Sequence, residues 1–500
     1  MQEEVIKNKF LIATKWSAIT EVVAKLVAPI TNMVLARIIA PEAFGVVATI
    51  TMIISFVDMF TDAGFQKYLV QHEFKDEDEK FESANVAFWT NLVISIFLWI
   101  IIIVFRDNIA NIVGNPGLGN VIAIACVQLL LTSFSSIQMA LYRRNFDFKT
   151  LFLVRIVSIC IPFIVTIPLA FKGMSYWALI IGSIVMQLTN AIVLTVKSKW
   201  RPYFFYRFNI LKKMLSFSVW SFIESISIWL TTWIDMFIIG KSLNQYYLGI
   251  YKTSTSMVNA LMSLITASIV PVLFSTLCRL QNDTEKFNKM YFNIQRLVSI
   301  FVFPLSIGVY LYSDLATRIL LGNKWGEANE VIGIWALTSG MMIVMGYLSS
   351  EVYRAKGKPK LSFLAQMLHL VVLVPVCVIT SKRGFNILVY SRAWIRIEFV
   401  LVHLIIMSVI MKISIKNTLK NVMPTVISSI TMGGFGYLLK QVSNDIVWSF
   451  ISIALCSIFY FVVLYLFPSM RNEMKQAYAN MKSKIFRRKY YDNNLQIKKN

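Results

Sequence analysis

Charge is scarce in this chain: Asp, Glu, Lys and Arg together supply only 15% of 500 residues. Ordinary soluble domains carry about a quarter, so a string of soluble domains is excluded. Histidine is rarer still, with 3 residues, and the cysteines Cys126, Cys160, Cys278, Cys377 and Cys456 stand singly. No metal-ligand or redox spacing joins them, so neither a metal centre, a cofactor nor a structural disulfide is expected. No nucleophile and base pair stands out, which argues against an enzyme. The opening stretch MQEEVIKNKF lacks a short apolar core followed by a small-residue cleavage site, so no removable signal peptide is expected.

What is abundant is apolar surface, at 57% of the residues. Apolar runs of about 20 residues, enough to cross roughly 30 Å of hydrocarbon as helices, recur from end to end. The runs are continuous rather than alternating, which selects helices over a barrel. Fourteen spans are expected: 10–38, 42–63, 83–105, 118–140, 150–171, 175–197, 212–239, 247–276, 290–312, 328–353, 361–380, 386–411, 420–440 and 445–467. The expected fold class is therefore an all-α membrane protein.

A net charge of +23 could suggest nucleic acid. The cations instead lie in short loops between apolar runs, so no nucleic-acid partner is expected; membrane lipids are the partner such a chain must have. One set of loops holds Arg143, Arg144 and Lys149, then Lys197 to Lys213, then Arg354, Lys356, Lys358 and Lys360, with Arg487, Arg488 and Lys489 in the tail. By the positive-inside rule, with about 33 of the 49 cations on that side, both termini are expected to be cytoplasmic, and the expected location is the cytoplasmic (inner) membrane. The longest inner loop, Gly64 to Ser83, reads as an amphipathic segment (Phe65, Tyr68, Leu69) followed by a solvated acidic run, Asp76 to Glu79.

The chain repeats itself. ARIIAPEAFGVV (Ala36 to Val47) is echoed 204 positions later by GKSLNQYYLGIY (Gly240 to Tyr251), with Arg37 matching Lys241 and Gly45 matching Gly249. LYRRNFDFK (Leu141 to Lys149) pairs with VYRAKGKPK (Val352 to Lys360) at an offset of 211. Spans 1–6 and 7–12 then read as two copies of one unit, inserted in the same sense, with a substrate path between them. The expected division is an N-terminal lobe over 1–210, a C-terminal lobe over 211–411, two further helices over 412–470 and a basic cytoplasmic tail over 471–500.

Polar residues inside spans are costly and tend to face a cavity or each other. Span 1 carries Thr14, Ala18, Glu21, Lys25, Ala28 and Asn32 along one stripe, and span 2 carries Thr51, Ser55, Asp58 and Asp62. Span 7 shows Ser218, Ser221, Ser225, Thr232 and Asp235 beside Glu224; span 8 shows Lys252, Ser256, Asn259, Ser263 and Thr266. Hydroxyl stripes also glue helices together, and Glu21 and Lys25, one turn apart, can simply neutralise each other. The concentration of charge on four such flanks nonetheless points to a hydrated cavity. Arg155 and Arg296 sit about a turn inside the cytoplasmic ends of spans 5 and 9, placed either to snorkel or to meet an anionic headgroup. Arg392, Arg396 and Glu398 form an intramembrane cluster expected to pair, while His369 and His403 read as packing residues. Pro29 and Pro271, on cavity spans, are candidate hinges.

Five stretches carry a family resemblance: LARIIAPEAFG (Leu35 to Gly45), DAGFQKYLVQ (Asp62 to Gln71), FWTNL (Phe88 to Leu92), ALYRRNFDFK (Ala140 to Lys149) and DMFIIGKSLNQYYLGIY (Asp235 to Tyr251). From about residue 10 to 465 the chain resembles the polysaccharide-transporter (O-antigen and exopolysaccharide flippase) family of the multidrug/oligosaccharidyl-lipid/polysaccharide exporter superfamily. It is most similar to the colanic-acid, teichuronic-acid and lipopolysaccharide exporters. The resemblance implies two six-helix lobes around a central cavity lined by helices 1, 2, 7 and 8. It implies a polyprenyl-pyrophosphate-linked oligosaccharide as cargo, moved by alternating access for surface polysaccharide biosynthesis, with a polysaccharide polymerase or export machinery as a further partner. On that reading Lys25, Lys252, Arg155, Arg296, Asn32 and Asn259 bind cargo, and Glu21, Asp58, Asp62, Glu224 and Asp235 couple transport to an ion gradient. The alternative within the superfamily is a cation-coupled multidrug exporter, which the acids Glu21, Asp58 and Asp62 would suit.

Overall fold

A computed structural model describes residues 16, 20, 23–62, 65–443 and 445–471, excluding the side chains at 61, 62, 216–224, 268 and 271. The described residues form long helices joined by short turns. They are α1 (23–38), α2 (Pro41–Asp62), α3 (Glu77–Val104), α4 (Gly119–Arg144), α5 (Phe148–Phe171), α6 (Tyr176–Lys197), α7 (Phe208–Ser242) and α8 (Gln245–Arg279). Beyond these come α9 (Thr284–Leu311), α10 (Ala328–Ala355), α11 (Lys360–Ser381), α12 (Phe385–Val409), α13 (Ile415–Lys440) and α14 (Ile446–Leu466).

Ten of these helices are long and apolar enough to cross a membrane, or eleven if α8, bent by 43° between Gln245–Ala267 and Val272–Arg279, is one span. The expected fourteen is thus not reached on apolar length alone. Helix α12 is long enough, but Arg392, Arg396 and Glu398 interrupt its apolar run. The outer flanks are what a bilayer requires: Ile96, Phe97, Ile100 and Val104 on α3, or Ile451, Ile458 and Val462 on α14, are exposed apolar side chains with no aqueous rationale. The chain is a multi-pass membrane protein.

Local sequence explains the helix ends. Asp76, Asp147, Asn244, Asp283 and Ser414 each cap a helix by accepting a backbone N–H from its first turn. The acidic run is therefore not a free loop: Asp76 accepts from the Glu79 N–H at 2.7 Å, and Glu77, Asp78 and Glu79 form the first turn of α3, where the helix dipole favours them. The amphipathic segment is a short helix, Phe65–Gln71, with Phe65, Tyr68 and Leu69 buried against Phe88 and Trp200. Arg144 holds its end by donating to the carbonyls of Leu69 at 3.0 Å and Val70 at 3.3 Å.

The duplication is visible in three dimensions. Each half follows its third helix with a short one, Arg106–Ile112 and Ser313–Leu320. At the end of the bundle where the α1–α2 and α7–α8 turns lie, the halves interlock. A Cβ on Gly45 would run into the Gln245 carbonyl, and one on Gly249 into the Pro41 carbonyl. Next to this crossing, Gly114 (φ 77°) packs on the backbone of Gly240 and Lys241, while Gly322 (φ 89°) packs on Arg37. The Trp325 indole, fully buried, donates to the Ala36 carbonyl at 2.8 Å, and Arg37 donates to the Ile319 carbonyl at 2.9 Å. Backbone packed on backbone leaves no passage there. That end is closed.

Candidate transport cavities

Away from the closed end, each half holds a polar cavity. The first, about 620 Å³, lies among α1 to α6. Its wall carries Asp58, Asn91, Arg143, Arg155, Gln187 and Asn190, with the hydroxyls of Thr20, Thr132 and Ser158 between them. Polar groups here are knitted to one another: Arg143 donates to Gln66 Oε1 at 3.3 Å, Asn91 to Ser136 Oγ at 3.0 Å, and Ser158 Oγ to Asn190 Oδ1. Thr132 donates to Asp58 Oδ1 at 3.5 Å.

The second, about 470 Å³, lies among α7, α8, α10, α11 and α12 and carries Thr232, Thr266, Tyr347, Glu351, Arg354, Gln366, His369, Arg392 and Arg396. Part of its wall is a π-helical stretch of α10, Met342–Tyr347, a distortion of the regular helix that re-aims side chains. The two cavities occupy equivalent places. At the 211 offset Arg143 falls on Arg354, Leu151 on Ser362, Arg155 on Gln366 and Ser158 on His369, and every one of these residues lines its own cavity.

Behind the second cavity lies a buried ion pair. Asp235 Oδ2 accepts from Arg392 Nε at 2.8 Å and from the Tyr251 hydroxyl at 2.8 Å, while Oδ1 accepts from the Met236 N–H at 2.8 Å. Burying a carboxylate is tolerable only when its oxygens are so engaged. The bonds tie α7, α8 and α12 together. The expected α12 cluster does not pair internally: Arg392 reaches Asp235, and Arg396 donates to Trp335 O, Thr338 Oγ1 and Ser339 Oγ on α10. Glu398 lies 2.8 Å from His369 Nδ1. His369 is therefore a buried residue that packs on Phe399 and is also within hydrogen-bond distance of a carboxylate. His403 meets the Tyr353 hydroxyl at 3.1 Å.

Of the residues singled out by sequence for cargo, Arg155 lines the first cavity, and Lys25 is half-buried on α1 beside Ala24, which lines it too. Lys252 stacks over Trp233 at 4.4 Å, and Asn259 Oδ1 accepts from the Trp335 indole at 3.2 Å. Asn32 is exposed on α1. Arg296 donates from Nε and Nη2 to Asn421 Oδ1 at 2.9 and 2.6 Å, toward α13. Of the acids, Asp58 lines the first cavity and Asp235 is paired; Glu21 and the side chains of Asp62 and Glu224 lie outside the described residues. Sequence reasoning passed over Gln187, Asn190, Tyr347 and Gln366, because neutral polar residues in a span carry no charge signal. Extending the 211 offset past the YR motif would have found Gln366.

A bundle of apolar helices in two like halves, sealed at one end and hollow within each half, defines a membrane transporter fold. The sequence of residues 34–330 matches the family described as polysaccharide biosynthesis protein, and the chain belongs to that family. It is 22% identical to the lipopolysaccharide biosynthesis protein WzxC of Escherichia coli over 80% of both chains. It is 23% identical to an uncharacterized membrane protein of the Klebsiella pneumoniae cps region over 74% of this chain and 76% of that one. The succinoglycan biosynthesis transport protein ExoT of Rhizobium meliloti is 24% identical over 63% of each. In fold the chain is similar to the lipid II flippase MurJ in an inward closed conformation, with a TM-score of 0.75 at 16% identity over 91% of this chain and 98% of that one. An inward-facing multidrug resistance MATE family transporter follows at a TM-score of 0.58 and 13% identity, over 79% and 99%.

Proposed function

We propose that the protein is a flippase that moves polyprenyl-pyrophosphate-linked oligosaccharide across the cytoplasmic membrane for surface polysaccharide biosynthesis. The observation that carries this reading is the pairing of a sealed end with two polar cavities at equivalent places in the two halves. The sealed end faces outward, since the basic loops at its opposite end belong on the cytoplasmic side, and both termini are cytoplasmic. Alternating access then requires the α2–α8 crossing to part while the cytoplasmic mouths close. The lobes that move are 1–210 and 211–411; residues 412–470 add two helices outside the duplicated core, and 471–500 form the tail.

Sugar hydroxyls suit the amides and hydroxyls of the first cavity, where Asn91, Gln187, Asn190 and Ser158 offer donors and acceptors without fixed charge. Arg155, with Lys25 nearby, supplies cations for the pyrophosphate, and the lipid tail stays in the bilayer. Lys252, Asn32, Asn259 and Arg296 take part once the lobes rearrange. Asp58 couples the cycle to an ion, together with Glu21, Asp62 and Glu224, whereas the Asp235–Arg392 pair keeps α7 and α12 moving as one. Deleting the gene should abolish surface polysaccharide, and vesicles reconstituted with the protein should move a labelled lipid-linked oligosaccharide between leaflets. Normal surface polysaccharide in the deletion strain rejects the reading.

A further inference from the structure

The sixth helix of each half faces its cavity with different chemistry. Helix α6 offers the neutral amides Gln187 and Asn190; α12 offers Arg392 and Arg396. Within the second cavity the other cations are paired. Arg354 lies 3.2 Å from Glu351 and Arg392 2.8 Å from Asp235, and His369 Nδ1 is within hydrogen-bond distance of Glu398, at 2.8 Å. Arg396 is 4% exposed and has no carboxylate partner among the described residues. It donates from Nη1 to the neutral oxygens of Trp335, Thr338 and Ser339, hydrogen-bonds the Tyr347 side chain, also a neutral partner, and its guanidinium rests 4.1 Å from the Trp335 ring centroid. Arg392, 8% exposed, uses Nε for Asp235, while its buried Nη1 has no partner. A cation this deep in a span without a counter-charge is costly, and so is a buried donor without an acceptor. Both costs disappear when an anion enters.

We infer that the second cavity is a phosphate-binding subsite, taking a phosphate or diphosphate anion on Arg396 and on the unpartnered Nη1 of Arg392. Guanidinium groups present parallel N–H donors that match phosphate oxygens in pairs, which an ammonium does not. Trp335 stacks beneath both guanidinium groups, at 5.3 Å for Arg392, and fixes their planes. Arg354 stands on the same wall. The inference rests on the flippase reading for its physiological ligand: the second cavity adds a diphosphate subsite to the cations of the first. The anion itself is read from the residues alone.

The test is calorimetric titration of the purified full-length protein in detergent with inorganic pyrophosphate. Saturable binding is expected, weakened at least tenfold by Arg396→Gln and less by Arg396→Lys, which keeps the charge but loses the fork. Arg106→Gln, remote from the cavity, should bind as the parent does, and each variant must elute as the parent does in size-exclusion chromatography. A second arm adds a short-chain polyprenyl diphosphate or the matching polyprenol in nanodiscs. Displacement of pyrophosphate by the diphosphate lipid alone assigns the site to the lipid headgroup; binding that neither lipid displaces assigns it to a free phosphate anion. Absence of pyrophosphate binding in the parent, or equal binding by parent and Arg396→Gln, overturns the subsite. Neither result touches the flippase reading, which is judged by surface polysaccharide in the deletion strain.

Discussion

Gly45 and Gly249 are mirror positions of one joint: each lies against the carbonyl of the residue that precedes the other by four, Gln245 for Gly45 and Pro41 for Gly249. Contacts and contact partners alike are 204 residues apart. A pseudo-two-fold axis therefore passes between α2 and α8, and it does so where the bundle is sealed. A side chain as small as a methyl group at either position would press into backbone, which cannot step aside as a flexible side chain does.

Gly45→Ala and Gly249→Ala should therefore act alike. Overpacking of this kind costs about 1–3 kcal/mol, here charged against the sealed state. A cysteine placed at the fully buried Ala36 should react with a membrane-impermeant maleimide slowly in the parent and several-fold faster in either alanine variant. Unchanged labelling would show that the crossing is not the seal.

Asp235→Asn should be strongly destabilising, by about 3–5 kcal/mol, because it leaves the buried Arg392 charge uncompensated. Replacing both partners by leucine should recover most of that loss, since a pair of apolar groups carries no desolvation penalty. Thermal unfolding in detergent reads both effects. A single variant as stable as the parent would mean that the pair does not hold α7 to α12.

Arg155→Ala, and the double variant Lys25→Ala/Lys252→Ala, should abolish surface-polysaccharide export while the protein still inserts in the membrane at normal level. Immunoblotting of membranes and staining of surface glycan separate the two readouts. Full export in the double variant rejects a cargo role for the two lysines.

Asp58→Asn removes the carboxylate from the wall of the first cavity and keeps its shape. In proteoliposomes the variant should move cargo down its gradient but lose the acceleration that an imposed proton or sodium gradient gives the parent. Retained acceleration would place the coupling elsewhere.

The multidrug alternative makes an opposite forecast. Deletion should leave susceptibility to cationic drugs unchanged while surface polysaccharide disappears. Hypersensitivity with intact polysaccharide would favour the drug exporter.

The pattern of residues by itself determined that this is a helical membrane protein built from a repeated unit, because the length of an apolar run and its recurrence are one-dimensional quantities that the bilayer reads directly. It also singled out Gly45 and Gly249 as a matched pair, and Arg155 and Asp58 as polar groups inside spans. It could not say where a given charge points. Asp235 and Asp58 look alike in sequence, each an acid within an apolar helix, yet one is enclosed by Arg392 and Tyr251 from two other helices and the other borders a cavity. Arg143 and Arg144 are neighbours in a basic turn, but one faces the cavity and the other holds the end of a short helix. Such differences are decided by which helix packs where. Partners more than a hundred residues apart leave no local signal, and only the tertiary arrangement brings Arg392 to Asp235 while leaving Arg396 without an acid among the described residues.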